Sequence, residues 1–302
     1  MGYGRHDRTW LIAMGITLVL GLAGCSTSKG PTTPGETPLS GLQECGGHDT
    51  FHRVNFPSPS VIDCPWFPLI PGTQMIFDGV SNLGSGFLPH RVVLTVTDLT
   101  KTIAGVSTLV VWDRDYSNGE LHESELAFFA QDWQGNVWTI GEYPEEYQGG
   151  VFIGAPSTWI TNVAGAEAGI LVPGLPEVGD KFLQGFSPDI NFLDCATVFQ
   201  TGASVCVPLN CYEDVLVVEE WSPLDVGSGR QRKFYAGGIG VVQIAPVNDP
   251  EGERLVLENV LHLSPQALRD AGEEALKLER RAYQVSSAYR HTAPAHFPDQ
   301  GP

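Results

Sequence analysis

The sequence predicts a mainly β protein, a curved antiparallel sheet completed by one C-terminal helix. Three observations carry that reading. From Val61 onward, short apolar runs rich in Val, Ile, Thr and aromatic residues alternate with clusters of Gly, Pro, Asn and Asp, the pattern of strands joined by turns. Residues 91–142 read as a four-strand meander, with Asn118-Gly119 supplying the positive-φ pair of a tight hairpin. Near the C-terminus, Ser264-Pro265 combines an N-cap with proline at the first helical position. Leu268, Ala271, Ala275, Leu278 and Tyr283 follow at helical spacing, and the helix ends near Ser287.

The elements follow in order. Arg5 and Arg8 precede the apolar run Leu11 to Gly24, whose length and small-residue end predict a signal peptide over residues 1–24 rather than a membrane span. Residues 26–42 are rich in Ser, Thr, Pro and Gly without apolar period, and read with Cys25 as a flexible tether. The β domain is expected over 43–263. Its clearest strands are 91–98, 105–116, 120–132 and 137–142, then 204–207, 212–221, 231–235, 240–244 and 254–263. Between them, residues 144–194 carry many Gly and Pro and no clean period. They read as long loops with short strands, and loops of that length are often functional. The helix fills 264–288, and 289–302 is expected to be a disordered tail.

Leu22-Ala23-Gly24-Cys25 resembles the bacterial lipoprotein processing box. The resemblance implies cleavage before Cys25, acylation of its thiol (palmitate among the acyl chains), and a soluble domain held to a bilayer by lipid. Several chains on one cysteine bury many methylenes at about 0.8 kcal/mol each, where a single chain is marginal. Phe67 to Thr73, Gln131 to Trp138 with Gly141-Glu142, and Gly237 to Val242 are similar to segments of a group of exported bacterial proteins with no assigned activity. That similarity spans roughly residues 61–263 and transfers no catalytic residue. By fold analogy with lipoprotein carriers of acyl chains, it implies a half-barrel or sandwich-like sheet.

The formal net charge of −18 argues against nucleic-acid partners and anionic headgroups, which this surface repels. Six cysteines are present. With Cys25 assigned to lipid, an oxidising compartment makes disulfides the default for Cys45, Cys64, Cys195, Cys206 and Cys211: Cys45 with Cys64, and one pair among the other three. One thiol is left over.

Several constellations carry possible chemistry. Cys45, His48, His52 and Cys64 have spacings open to a tetrahedral zinc site, against the simpler disulfide reading. Asp113, Asp115, Asn118 and Glu120, followed by Glu123 and Glu125, offer hard oxygen ligands for calcium, although a solvated hairpin turn accounts for the same residues. Aromatics crowd the central third among Glu125, Asp132, Glu142, Glu145 and Glu146. Trp133, Trp138 and Glu142 are the ligand-contact candidates, and carboxylates within 125–146 are the candidates for glycoside hydrolysis. An apolar core with carboxylates facing water gives the same composition. No Gly-x-Ser-x-Gly, His-Glu-x-x-His or Gly-x-x-x-x-Gly-Lys pattern occurs, and Gly237-Gly238-Ile239-Gly240 reads as a bulge rather than a dinucleotide loop. No catalytic residue is assigned and no cofactor is expected. The favoured function is a membrane-anchored, exported binding or envelope-associated module for an apolar or carbohydrate ligand. A secreted hydrolase and a structural surface protein are the alternatives.

Overall fold

The structure, a computed structural model, describes residues 10–13, 16–19, 37–46, 51–58, 61–84 and 86–298. The lipoprotein box with Cys25 lies outside these residues, as does His48. Trp10–Ala13 (β1) and Ile16–Val19 (β2) pair with each other as an antiparallel hairpin. A short helix, Thr37–Glu44 (α1), occupies part of the segment expected as tether. Leu42 and Cys45 explain it: both are buried against Leu183, Phe186, Leu193 and Cys195, so this end of the tether is packed onto the domain.

The domain is built from Thr73–Ser81 (β3), Leu88–Ile103 (β4), Val106–Ser117 (β5), Glu120–Gln131 (β6), Val137–Gln148 (β7), Val151–Gly154 (β8), Trp159–Ile160 (β9), Glu167–Val172 (β10), Lys181–Ser187 (β11), Phe192–Cys206 (β12), Cys211–Trp221 (β13), Arg230–Ala236 (β14), Gly240–Val247 (β15) and Arg254–His262 (β16). Sequential strands pair from β10 to β16, β16 pairs with β3, and β3 to β7 continue the order. Then β10 returns to β7, with Ile170 opposite Trp138. The sheet is therefore a closed barrel of twelve strands, with β8 and β9 attached to β7 outside the ring. This corrects the expected half-barrel or sandwich-like sheet. Closure removes both edges that an open sheet leaves unpaired.

The segment 144–194 hides this closure from the sequence. Its strands are interrupted by glycines that the packing requires. A Cβ on Gly169 would stand 2.3 Å from the Gln184 backbone, and one on Gly185 2.8 Å from the Phe192 ring. The regular apolar alternation is lost where neighbouring backbone and rings come closest.

Pro265–Val285 (α2) lies on the outside of the barrel. Ser264 caps it by accepting from the Ala267 N–H, and Ala271, Ala275, Leu278 and Ala282 form its buried face. Lys101 of β4 is fully buried beneath it, donating to Glu279 Oε1 at 2.7 Å and to the Ala293 carbonyl at 2.6 Å, with Tyr289 4.3 Å below the ammonium. Residues 289–298 differ from the disordered tail expected of them. Tyr289 and Phe297 are buried, and His296 exchanges backbone hydrogen bonds with Thr100.

Two disulfides join Cys45 to Cys195 and Cys206 to Cys211, and Cys64 is a free buried thiol. The expected Cys45 to Cys64 pair does not form, because α1 carries Cys45 to β12 on the outer face. The pair within the later three cysteines does form, across the β12–β13 hairpin where Cys206 and Cys211 stand opposite one another.

Candidate functional site: an acidic half-lumen

Directly opposed residues in an antiparallel ladder share a face. Because α2 and Tyr289 beyond it cover Lys101, Phe128 and Tyr143 from outside, the opposite parity of each strand lines the lumen. One half of that lumen is apolar. Phe77, Leu94, Val111, Phe129, Leu216 and Leu257 line it, and Phe67, from the segment before β3, packs into it. Phe67 stands 5.9 Å from the Phe129 ring and 6.2 Å from Tyr235.

The other half is acidic. Asp115 opposes Glu123, which opposes Glu146; Asp113 opposes Glu125; and Glu142 follows one row further along. All six carboxylates are buried. Asp194, Glu220, Glu251 and Glu253 join them from the far wall and the β15–β16 connection, also buried. Cations are few here. Lys233 Nζ pairs with Glu220 at 2.7 Å. The His90 Nε2 sits 3.3 Å from Asp115 and 3.2 Å from Glu253, while its Nδ1 meets Ser81 Oγ at 3.2 Å.

Neutral donors satisfy some of the oxygens. Trp159 Nε1 donates to Glu142 at 2.9 Å, Gln184 Nε2 to Glu220 at 2.9 Å, and Gln231 Nε2 to Glu253 at 2.8 Å. Other oxygens meet no hydrogen-bond donor from the protein: both of Asp115 and Glu251, one each of Glu123, Glu125 and Glu146, and the amide oxygen of Gln184. Burial pushes Asp115, Glu123, Glu125 and Asp194 well above the usual carboxylate range, reinforced by neighbouring carboxylates. Burial raises Glu142 to about 7, against the Trp159 hydrogen bond and Lys233, which lower it. It lifts Glu146 to about 6 and Glu251 to about 8.

Access is narrow. A cleft of about 20 Å³, bordered by Asp194, Glu220, Arg230, Gln231 and Asp249, reaches the far wall of the chamber. Trp159 and Phe192, 5.5 Å apart, stack in the room left by Gly185. A broader depression of about 640 Å³ lies on the outer face of β3–β5 beside the Asp78–Arg91 pair, and holds none of the predicted site residues.

The sequence candidates separate. Asp113 and Asp115 turn into the lumen, but Asn118 and Glu120 stand exposed at the hairpin tip, with Asn118 at φ 51°. The four do not form one calcium set. Among the described residues, no three His, Cys, Asp or Glu side chains are placed to hold a metal ion. The zinc set does not assemble either: Cys45 is in a disulfide and His52 is exposed. Trp133, Trp138 and Glu142 are also apart. Trp133 is 72% exposed on the β6–β7 turn. Trp138 is buried beside Phe51 and Phe56 and donates to Asp132 at 2.8 Å. Glu142 faces the lumen. The residues missed by sequence reasoning are His90, Asp194, Glu220, Lys233, Glu251 and Glu253. They come from strands and a connection far apart in the chain, and closure brings them together.

No family model matches the chain, and no curated protein matches it. Two solved structures resemble it. One, from Bacteroides fragilis, is of a protein taken to be exported and described as having a YmcC-like fold. It is 15% identical over 66% of this chain and 99% of its own, with a TM-score of 0.38. The other, from Parabacteroides distasonis, is of a protein taken to be a lipoprotein. It is 14% identical over 66% of this chain and 100% of its own, with a TM-score of 0.28. Likeness at this level assigns neither activity nor location.

Proposed function

We propose that this chain is an exported, envelope-associated module, tethered to a membrane by lipid on Cys25 and acting through a closed, acid-lined barrel. The observation that carries the reading is the cysteine pairing. Four of the five cysteines beyond Cys25 are joined in two disulfides, a state typical of oxidising compartments outside the cytoplasm. The basic flank, apolar run and Leu-Ala-Gly-Cys box point the same way from independent residues. Cys64 is buried, which leaves Cys25 as the thiol for acylation.

Phe67, from the segment before β3, packs against Phe129 and Tyr235 in the barrel's apolar half. Contact with envelope components falls to the outside. There Trp133, Val54 and Leu175 are 72%, 82% and 85% exposed. The Trp133 N–H bond to the Asn55 carbonyl and the approach of Gly174 to Gly135 bring their loops to one rim. An exposed indole with a polar edge suits a sugar ring or a partner surface. Hydrolysis by Glu125 and Glu142 gains no support, since both are buried in the lumen.

The test is metabolic labelling with an alkyne-bearing palmitate, followed by membrane fractionation of the wild type and Cys25→Ala. The expected result is label and membrane recovery in the wild type, with both lost in the variant. Equal membrane recovery without label in either protein contradicts the reading.

A further inference from the structure

We propose that the acidic half of the lumen is a proton-loaded lock, in which carboxyl groups of β5, β6 and β7 share protons that hold the barrel closed, and the barrel loosens as they leave. The argument begins with the count of acceptors and donors. Asp115, Glu123, Glu125 and Glu146 are at most 6% exposed, and each keeps at least one oxygen that meets no donor. The Gln184 amide oxygen, a neutral group in the same lumen, is likewise without a donor. An unpaired carboxylate in such a place is expensive, and a buried acid ordinarily neutralises instead. A proton shared between neighbours turns one acceptor into a donor, as in carboxyl dyads.

A metal ion is the competing way to meet excess oxygen. It needs several ligands converging on one point, and no three side chains among the described residues do so. The ladder instead sets carboxylates side by side, Glu123 between Asp115 and Glu146, which suits pairwise proton sharing. The charged groups facing this patch are His90 from β4, Asp113 from β5, Glu142 from β7, and Lys233 from β14. On the far wall stand Asp194 and Glu220, with Glu251 and Glu253 at the β15–β16 connection. Lys233 is already paired with Glu220, and His90 lies between Asp115 and Glu253. One ammonium and one imidazole cannot neutralise this many acids.

The sign of the effect follows. Carboxyl groups in the unfolded chain titrate near pH 4–4.5. In the folded barrel burial raises Glu146 to about 6, Glu142 to about 7 and Glu251 to about 8. A raised folded value gives stability that is full below the unfolded value and is lost as pH climbs through the folded one. The barrel is therefore tightest below about pH 4.5 and weakens from there up to about pH 8. Asp115, Glu123 and Glu125, pushed well above the usual range, extend the loss upward.

Two measurements on the full mature chain test this. Thermal unfolding from pH 5 to pH 8.5, with EDTA or with added Ca²⁺, is expected to show the midpoint falling by about 5–10 °C whichever is present. The double variant Glu125→Gln with Glu142→Gln, which mimics the protonated acids, is expected to flatten that slope. Infrared spectroscopy of the wild type at pH 7 is expected to show the carbonyl band of protonated carboxyl groups, and this reading does not depend on the variant folding. A midpoint that is level or rises with pH overturns the lock. So does the lack of a protonated-carboxyl band at pH 7, and so does stabilisation at pH 8.5 that depends on Ca²⁺, which assigns the chamber to a cation.

Discussion

Lys101 shows how a single residue joins the barrel to its outer layer. Its ammonium is buried under α2, and burial pulls its pKa down while Glu279 pulls it up. Removing one member of such a pair leaves the other charge stranded, at a cost of about 3–5 kcal/mol. Lys101→Met is expected to lower the urea midpoint accordingly, and Lys101→Met with Glu279→Gln to recover most of the loss. A double variant no more stable than the single contradicts the coupling. The acidic chamber was half legible at this scale. Asp113 and Asp115, and Glu123 and Glu125, are spaced by two, and Glu142 and Glu146 by four, so each pair shares a face. The period does not say which face is inside, because Tyr143 and Phe128 on the other face are buried too, against Tyr289 just beyond α2. Both parities therefore look like core.

At the scale of elements, those with strong local signals stand near their expected places. The four strands of the meander run at 88–103, 106–117, 120–131 and 137–148, the first and last of them longer than the apolar alternation alone suggests. The C-terminal helix begins where Ser264-Pro265 places it. Ser264→Ala removes the acceptor for the Ala267 N–H and is expected to cost about 1 kcal/mol, whereas Ser264→Gly costs only a few tenths. Thermal unfolding of the two variants separates the capping effect from any effect of losing the side chain, and equal losses would contradict it. Elements fixed by distant partners were not legible. α1 depends on Cys195, and residues 289–298 depend on Lys101 and Thr100, contacts that no local pattern reveals. In 144–194 the glycines that permit close approach also erase the strand period.

For the whole molecule, closure is what the sequence could not show. Antiparallel alternation is the same in an open sheet and in a barrel, and the difference rests on the β7–β10 pairing, where Ile170 meets Trp138. Closure gathers acids from the meander and from strands nearly a hundred residues later into one chamber, and makes the interior a property of the fold rather than of any motif. The cysteines complete the account at the same scale. Cys45–Cys195 spans 150 residues and anchors the end of the tether to the barrel wall, while Cys206–Cys211 closes only the tip of a hairpin. The export reading unites these disulfides with Cys25. Its most direct test is non-reducing mass spectrometry of the protein extracted from membranes with detergent. The predicted result is a chain that begins at an acylated Cys25, with Cys45 linked to Cys195, Cys206 linked to Cys211 and Cys64 free. An unmodified chain retaining residues 1–24, with all its thiols reduced, would contradict it.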